Sequence, residues 1–204
     1  MAQYVVTGIG TEVGKTVVSA ILAEALKASY WKPVQAGDLD FSDSMKVDSW
    51  TSENVRILPE AYLLKTPMSP HASAEIDGIV LSNFDLPQVE GNLLIEGAGG
   101  LLVPLNNSGR TYRDVFKDWS LPTFIVSRHY LGSINHTLMT IEILQAANVP
   151  IEGIIFVGEK HSTTELAIAQ TGVTILGRVP IAEEVNAAFI REQAAKFESF
   201  FTKV

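Results

Sequence analysis

Gly8-Ile-Gly-Thr-Glu-Val-Gly-Lys-Thr16 lies between the short apolar run Tyr4–Thr7 and a segment of helical composition that begins at Val17. A glycine-rich turn that ends in Gly-Lys-Thr between a strand and a helix resembles a phosphate-binding loop, or P-loop. Its backbone N–H groups face phosphate oxygens, the lysine adds a charge, and the threonine hydroxyl is offered to Mg²⁺. The common form G-x-x-x-x-G-K-[ST] requires glycine at Ile9, so this loop is one residue longer when counted from Gly8.

Apolar β-branched runs alternate with helical segments along the rest of the chain. This alternation predicts an α/β fold, a doubly wound and mostly parallel sheet flanked by helices, of the P-loop NTPase type. We expect residues 1–204 to form a single nucleotide-binding domain. The predicted strands are Tyr4–Thr7, Ser29–Lys32, Asn92–Glu96, Thr123–Ser127, Ile151–Val157 and Thr174–Val179. The predicted helices are Lys15–Lys27, Ser82–Val89, Ser133–Ala147, Thr163–Gln170 and Glu183–Phe201.

The composition excludes several classes of function. A formal net charge of −8 disfavours general binding to nucleic acids and to anionic membranes. The chain has no cysteine, which excludes disulfides, thiolate metal sites and cysteine nucleophiles. We see no apolar run of the roughly 18 residues that a membrane span needs, and no signal-peptide pattern. We therefore expect a cytoplasmic protein without nucleic-acid or membrane partners.

Two charged residues follow other predicted strands. Lys32 ends the strand after the P-loop helix, where it would add a second cation near the phosphates, although a lone lysine at a strand end more often extends to solvent. Glu96 ends a buried strand, where an unpaired carboxylate needs a cation. Mg²⁺ fits this need, and Thr16, Asp48 and Glu96 are its candidate ligands. Asp48 alone is more often a helix cap.

Five segments together resemble the dethiobiotin synthetase family in order and spacing over residues 4–182. They are the elongated loop ending in Glu12-Val-Gly-Lys-Thr16, Lys32-Pro-Val34, Ser69-Pro-His71, Glu96-Gly-Ala-Gly-Gly100 and Leu131-Gly-Ser-Ile-Asn-His136. The resemblance implies a Mg²⁺- and ATP-dependent cyclo-ligase of biotin biosynthesis. Such an enzyme closes the ureido ring of dethiobiotin from 7,8-diaminopelargonate and CO₂, through a carbamate and a carbamic-phosphoric anhydride.

The resemblance also assigns roles to residues. Lys32, Lys15 and Thr11 would be catalytic, and Thr16, Asp48 and Glu96 would bind Mg²⁺. The nucleotide would be bound by Glu12, Val13, Gly14, Lys15, Thr16, Val17, Glu96, Gly97, Ala98, Gly99, Pro180, Ile181 and Ala182. The diamine would be bound by Lys32, Ala36, Gly99 and Asn135. The resemblance further implies a homodimer, in which Asn135 is expected to complete the partner's site.

Three positions depart from the family pattern. Gly10 stands where the family usually has aspartate, and Ala36 stands where a serine or threonine often binds near the substrate. Val157 replaces an asparagine that reads the adenine edge, and valine cannot make that hydrogen bond. Val157 leaves the base selectivity open, and the effects of Gly10 and Ala36 are open as well. The sequence also does not give the order of substrate addition.

Two other functions fit parts of the pattern. A cobyrinate-type amide ligase shares the nucleotide domain but normally adds a glutaminase domain with a cysteine nucleophile, and this chain has no cysteine. A ParA/MinD-like switch ATPase usually carries a lysine early in the loop, whereas Gly10, Thr11, Glu12 and Val13 precede Gly14 here. Phosphate release with and without diamine and bicarbonate discriminates these readings from the ring-closing ligase.

Overall fold

The structure, a computed structural model, describes residues 1–82 and 85–201 and is built around a parallel sheet. The six strands of that sheet are β1 (Gln3–Gly8), β2 (Ser29–Trp31), β5 (Leu93–Glu96), β6 (Thr123–Arg128), β7 (Ile151–Val157) and β8 (Ile175–Val179). Their order is β2-β5-β1-β6-β7-β8, and every neighbouring pair is parallel. Two short strands, β3 (Val34–Ala36) and β4 (Tyr62–Leu64), form a separate parallel pair.

Helices connect and cover the strands. They are α1 (Lys15–Leu26), α2 (Asp43–Trp50), α3 (Pro70–Asp77), α4 (Tyr112–Trp119), α5 (Ser133–Ala146), α6 (Ser162–Ala169) and α7 (Ala187–Phe201), with a short 3-10 helix at Leu39–Phe41. Helix α1 packs against α2 and α7, whereas α5 packs against α6 and the β6–β7 pair. The central strands are buried along most of their length, as in sheets covered on both faces.

The doubly wound α/β fold of the P-loop type is confirmed. All six predicted strands are present, and no end differs from its predicted position by more than one residue. Four of the five predicted helices are also present. The C-terminal helix begins at Ala187 rather than Glu183, because the Asn186 side chain accepts hydrogen bonds from the N–H groups of Ala188 and Phe189 and caps the helix there.

The predicted helix Ser82–Val89 is wrong. Ser82 and residues 85–89 have no helical structure, and Asn83 and Phe84 lie outside the described residues. Pro87 provides the reason, since it lacks an N–H donor and disfavours helical geometry at the residue before it.

The order of the strands brings the predicted motifs together. β5 lies between β2 and β1, so Lys32 after β2, Glu96 at the end of β5 and the P-loop after β1 share one edge of the sheet. The carboxyl ends of parallel strands are the usual binding edge in this class of fold.

Candidate active site

The P-loop has a geometry that depends on its glycines. A Cβ atom on Gly8 would lie 2.7 Å from Val13 Cγ2 and 2.9 Å from the Gly10 carbonyl oxygen, so a larger residue does not fit there. Gly14 has φ +91° and precedes the first turn of α1, a conformation that favours glycine. The Lys15 ammonium donates a hydrogen bond to the Gly10 carbonyl oxygen at 2.9 Å. The loop therefore curls around the side chain of its own lysine.

Lys15 is destabilised as a cation in this position. Burial lowers its pKa to about 8, with Glu96 and Asp43 raising it and Lys32 lowering it further. Among the described residues, Lys15 forms no ion pair within 4.0 Å. An anion placed beside Lys15 would offset the cost of burying its charge.

Lys32, unlike Lys15, is a buried lysine with two carboxylate partners. Its residue exposure is 5%. The ammonium contacts Asp43 and lies 3.3 Å from Glu96 Oε1. Burial lowers the pKa of Lys32, but Glu96 and Asp43 outweigh it and hold that pKa above its ordinary value. Lys32 therefore keeps its charge at neutral pH.

Glu96 is enclosed by donors. Its side chain is fully buried. Thr16 Oγ1 donates to Glu96 Oε1 at 3.0 Å, and the Tyr30 hydroxyl donates to Glu96 Oε2 at 2.9 Å. The prediction that a cation accompanies this buried carboxylate is met here by the Lys32 ammonium.

The acidic residue beside Lys32 is Asp43, whereas Asp48, which the sequence suggested as a Mg²⁺ ligand, lies elsewhere on the same helix. Asp48 is exposed and lines a separate cavity with Met45 and Leu63. Both aspartates belong to α2, but residues five positions apart in a helix point about 140° away from each other, so both cannot face the same site. The Ser42 side chain caps this helix by accepting from the Met45 N–H, which places Asp43 in its first turn.

Asp43 is held in place by further contacts. Its N–H donates to Gln35 Oε1 at 3.2 Å, and Lys46 lies 3.3 Å from its Oδ1. Burial raises the pKa of Asp43, but Lys32 and Lys46 outweigh it and lower the pKa below its ordinary value. Asp43 was not predicted as a site residue, although Ser42 followed by an acidic residue is a signal for a helix start.

These side chains line one cavity of about 580 Å³. Eleven of the predicted site residues are on its wall, namely Thr11, Glu12, Gly14, Lys15, Thr16, Val17, Lys32, Ala36, Glu96, Ala98 and Gly99. Six residues that the sequence analysis did not propose complete it, namely Val34, Gln35, Asp38, Asp43, Lys46 and Trp50.

A smaller cavity of about 160 Å³ adjoins the other side of the P-loop and shares Glu12, Gly14 and Val17 with the first. Pro180, Ile181 and Ala182 lie on its wall, as expected, together with Val157 and Arg128. A Cβ atom on Gly14 would lie 3.3 Å from Val157, so Val157 packs directly against the loop. The cavity is mostly apolar, which suits the faces of a nucleobase.

Four predicted site residues lie outside these two cavities, namely Asp48, which lines a separate cavity, and Val13, Gly97 and Asn135. Val13 is buried beneath the loop, with its side chain against Gly8. The Gly97 N–H donates to the Val6 carbonyl oxygen at 3.0 Å, so it is not available to an anion. Asn135 is exposed on α5 and donates to Met139 Sδ.

The oxygen donors around Glu96 fit a magnesium ion. Thr16, Asp43 and Glu96 offer one hydroxyl and two carboxylates, and Mg²⁺ commonly takes one or two carboxylates and completes its coordination with water and phosphate. In residues 1–82 and 85–201, no group of three or more His, Cys, Asp or Glu residues forms a metal site of its own.

A P-loop at the carboxyl edge of a parallel sheet, with a buried lysine and two carboxylates facing it, defines a P-loop nucleotide-binding protein. A family model described as "AAA domain" matches residues 2–188. An ATP-dependent dethiobiotin synthetase from Christiangramia forsetii is 53% identical over 96% of this chain and 95% of its own length. A second, from Rhodopseudomonas palustris, is 51% identical over 98% of this chain and 96% of its own. The chain belongs to the ATP-dependent dethiobiotin synthetase family.

Solved structures with low sequence identity share the fold. A plasmid partition protein from Borrelia burgdorferi superposes with a TM-score of 0.60, at 14% identity, over 100% of this chain and 99% of that one. The cell division ATPase MinD from Pyrococcus furiosus gives 0.58, at 15% identity, over 98% and 100%. This likeness confirms the P-loop NTPase fold, and the ParA/MinD-like alternative has no support beyond it.

Proposed function

We propose that this protein is an ATP-dependent cyclo-ligase that closes the ureido ring of dethiobiotin from 7,8-diaminopelargonate and CO₂. The observation that carries the proposal is Lys32, buried between Asp43 and Glu96 in the cavity that also contains Lys15 and Thr16. A charged lysine facing a phosphate loop suits a reaction between two anions, a carbamate and a nucleoside triphosphate. The names of the close relatives support the same chemistry.

The reaction requires activation because a carbamate is a poor electrophile. One amine of the diamine takes up CO₂ and loses a proton, which gives the carbamate. A carbamate oxygen then attacks the γ-phosphorus of ATP, the bond to the ADP oxygen breaks, and a carbamic-phosphoric anhydride forms. The second amine attacks the carbonyl carbon and expels phosphate, and its proton passes to solvent. Ring closure is intramolecular and is therefore favoured by proximity.

The residues of the cavity act mainly through charge and position. Lys15 and Lys32 stabilise the charge on the transferring phosphoryl group, and Thr11 lies beside them on the cavity wall. Thr16, Asp43 and Glu96 would hold Mg²⁺, which supplies charge neutralisation between the phosphates when it is bound. Ala36 and Gly99 border the space left for the diamine.

We propose further that two copies form a homodimer in which Asn135 reaches the partner's diamine. Support comes from the exposure of Asn135 beside large exposed apolar side chains at the start of α5. Leu131 is fully exposed, and Ile134 and Met139 are exposed by 37% and 45%. We also propose that residues 1–204 act as one domain in the cytoplasm. No helix in the described part of the chain is long and apolar enough to cross a membrane.

The proposal is tested by following phosphate release and dethiobiotin formation together. The full-length protein is supplied with ATP, Mg²⁺, bicarbonate and 7,8-diaminopelargonate, and each component is omitted in turn. We expect one phosphate per dethiobiotin, identified by mass spectrometry, and only background release without the diamine. Phosphate release that does not depend on the diamine, with no dethiobiotin formed, would overturn the assignment and favour a switch ATPase.

A further inference from the structure

Tyr30 contacts the site from a position that the sequence analysis assigned to the interior of a strand. Its side chain is fully buried, and its hydroxyl donates a hydrogen bond to Glu96 Oε2 at 2.9 Å. The other carboxylate oxygen, Oε1, accepts from Thr16 and faces Lys32. The two carboxylate oxygens of Glu96 therefore have different surroundings. Oε2 is hydrogen-bonded to Tyr30 inside the protein, and Oε1 is directed toward the cavity.

The sheet register produces this contact. Tyr30 on β2 is the register partner of Leu94 on β5, and Glu96 lies two residues beyond Leu94 on the same face. A long aromatic side chain reaches such a diagonal neighbour. The backbone around Tyr30 is fixed, because its N–H donates to the Arg56 carbonyl and its own carbonyl accepts from the Leu58 N–H. The phenol is thus held rigidly beneath the carboxylate.

We propose that Tyr30 is a positioning residue for a magnesium site. Its hydrogen bond orients Glu96 so that a single carboxylate oxygen, Oε1, is presented to the ion beside Thr16. The inference rests on the proposed Mg²⁺ site. Residues that hydrogen-bond to metal ligands fix the orientation of those ligands, and their loss typically weakens metal binding by about 10- to 100-fold.

The test is metal binding to the full-length protein saturated with a non-hydrolysable ATP analogue, measured by calorimetry with Mg²⁺ and without the diamine. Tyr30→Phe removes only the hydroxyl. Tyr112→Phe is the matched control, since Tyr112 is equally buried and its hydroxyl bonds to no side chain among the described residues. Glu96→Gln and the Tyr30→Phe/Glu96→Gln double variant complete a cycle.

We expect Tyr30→Phe to weaken Mg²⁺ binding by about 10-fold or more, while metal-free nucleotide affinity and the effect of Tyr112→Phe stay within about twofold. Excess Mg²⁺ should restore turnover. In the Glu96→Gln background, Tyr30→Phe should add less than about twofold, because the two residues act as a unit. Equal effects of the two Tyr→Phe changes, or parallel losses of metal-free nucleotide and metal affinity, would overturn the proposal.

A second measurement covers the case in which Tyr30→Phe does not fold. In wild-type protein labelled with 3-fluorotyrosine, the ¹⁹F resonance of Tyr30, assigned by elimination with the other tyrosine variants, should shift when Mg²⁺ is added to the nucleotide complex. The resonance of Tyr4, which contacts Phe124 and Phe201, should not shift. An unmoved Tyr30 resonance at saturating Mg²⁺ would contradict the role. Absence of Mg²⁺ binding by the wild type would refute the metal site itself, whereas failure of dethiobiotin formation with intact Mg²⁺ binding would refute only the choice of substrate.

Discussion

Replacing Asp43 with asparagine tests the site most directly, because the same helix contains the control. Asp43→Asn removes one of the two carboxylates that neutralise the Lys32 ammonium, and the residue exposure of that lysine is only 5%. Asp48→Asn makes the same chemical change on an exposed position of α2. Any difference between the two variants then reports the position of the carboxylate rather than the chemistry of the substitution.

The magnitude follows from burial. Removing one partner of a fully buried ion pair costs about 3–5 kcal/mol. The side chain of Asp43 is 19% exposed and Lys32 keeps Glu96, so we expect a smaller loss, about 2 kcal/mol. For a chain of 204 residues this lowers Tm by about 4–8 °C. Asp48→Asn should change stability by less than about 0.5 kcal/mol.

Activity should separate the variants further. Asp43→Asn removes a proposed Mg²⁺ ligand and a partner of Lys32, so we expect turnover to fall by about 10²-fold and the Mg²⁺ requirement to rise. Asp48→Asn should change neither the turnover nor the Mg²⁺ requirement by more than about twofold. The assays are thermal unfolding without ligands and initial rates over a Mg²⁺ series. If Asp48→Asn alters the Mg²⁺ dependence and Asp43→Asn does not, our assignment of the acidic ligand is wrong.

Three further predictions concern the two lysines and the base. Lys32→Ala should lower turnover by about 10²-fold or more in a protein that still unfolds cooperatively, and near-normal dethiobiotin formation would remove Lys32 from the mechanism. Because burial lowers the pKa of Lys15 to about 8, metal-free ADP affinity should fall by about 10-fold between pH 7 and pH 9 as the ammonium loses its proton. Calorimetry should show this fall in affinity, together with uptake of a proton by the protein when ADP binds. The Lys15→Arg variant, whose guanidinium keeps its charge, should take up no proton. Since Val157 and the apolar wall offer no amide to the base, GTP, CTP and UTP should support turnover, and an ATP preference of about 10³-fold or more in kcat/KM would show that another group reads adenine.

The parallel sheet could be predicted from the sequence because its signals are local. Each central strand is a short apolar run bounded by turn residues, and each long helix shows its own periodicity. The short helices were not predicted, because they lack this local periodicity. α2 has the sequence Asp43-Ser-Met-Lys-Val-Asp-Ser-Trp50, in which only Ser44 and Val47 are buried, so hydrophobic periodicity gives almost no signal. Its capping residue Ser42 and the Thr111/Asp114 capping box of α4 were the better indicators.

The residues of the site also fall into two groups, those that local sequence signals predict and those that they do not. Lys15, Thr16, Lys32 and Glu96 could be found because each ends a strand or begins a helix, and their position in the fold follows from that alone. Asp43 and Tyr30 could not be found by that rule. Asp43 reaches Lys32 only because α2 starts at a particular residue, and Tyr30 reaches Glu96 only through the register of β2 against β5, which a single sequence does not specify.

The two lysines of the cavity, both proposed to act on the phosphoryl group, differ in their counter-ions. Asp43 and Glu96 are already neutralised by Lys32, with Lys46 contributing at Asp43, so Lys15 is the cation left to attract an anion. A nucleoside triphosphate carries several negative charges, more than one buried ammonium offsets. In the proposed mechanism, Asp43 and Glu96 would hold a metal ion that replaces Lys32 as their counter-ion, and the Lys32 ammonium would then be available to the transferring phosphoryl group. In the free protein, Asp43 and Glu96 hold the charged Lys32 ammonium in the cavity, and their opposite charges lower the cost of burying it.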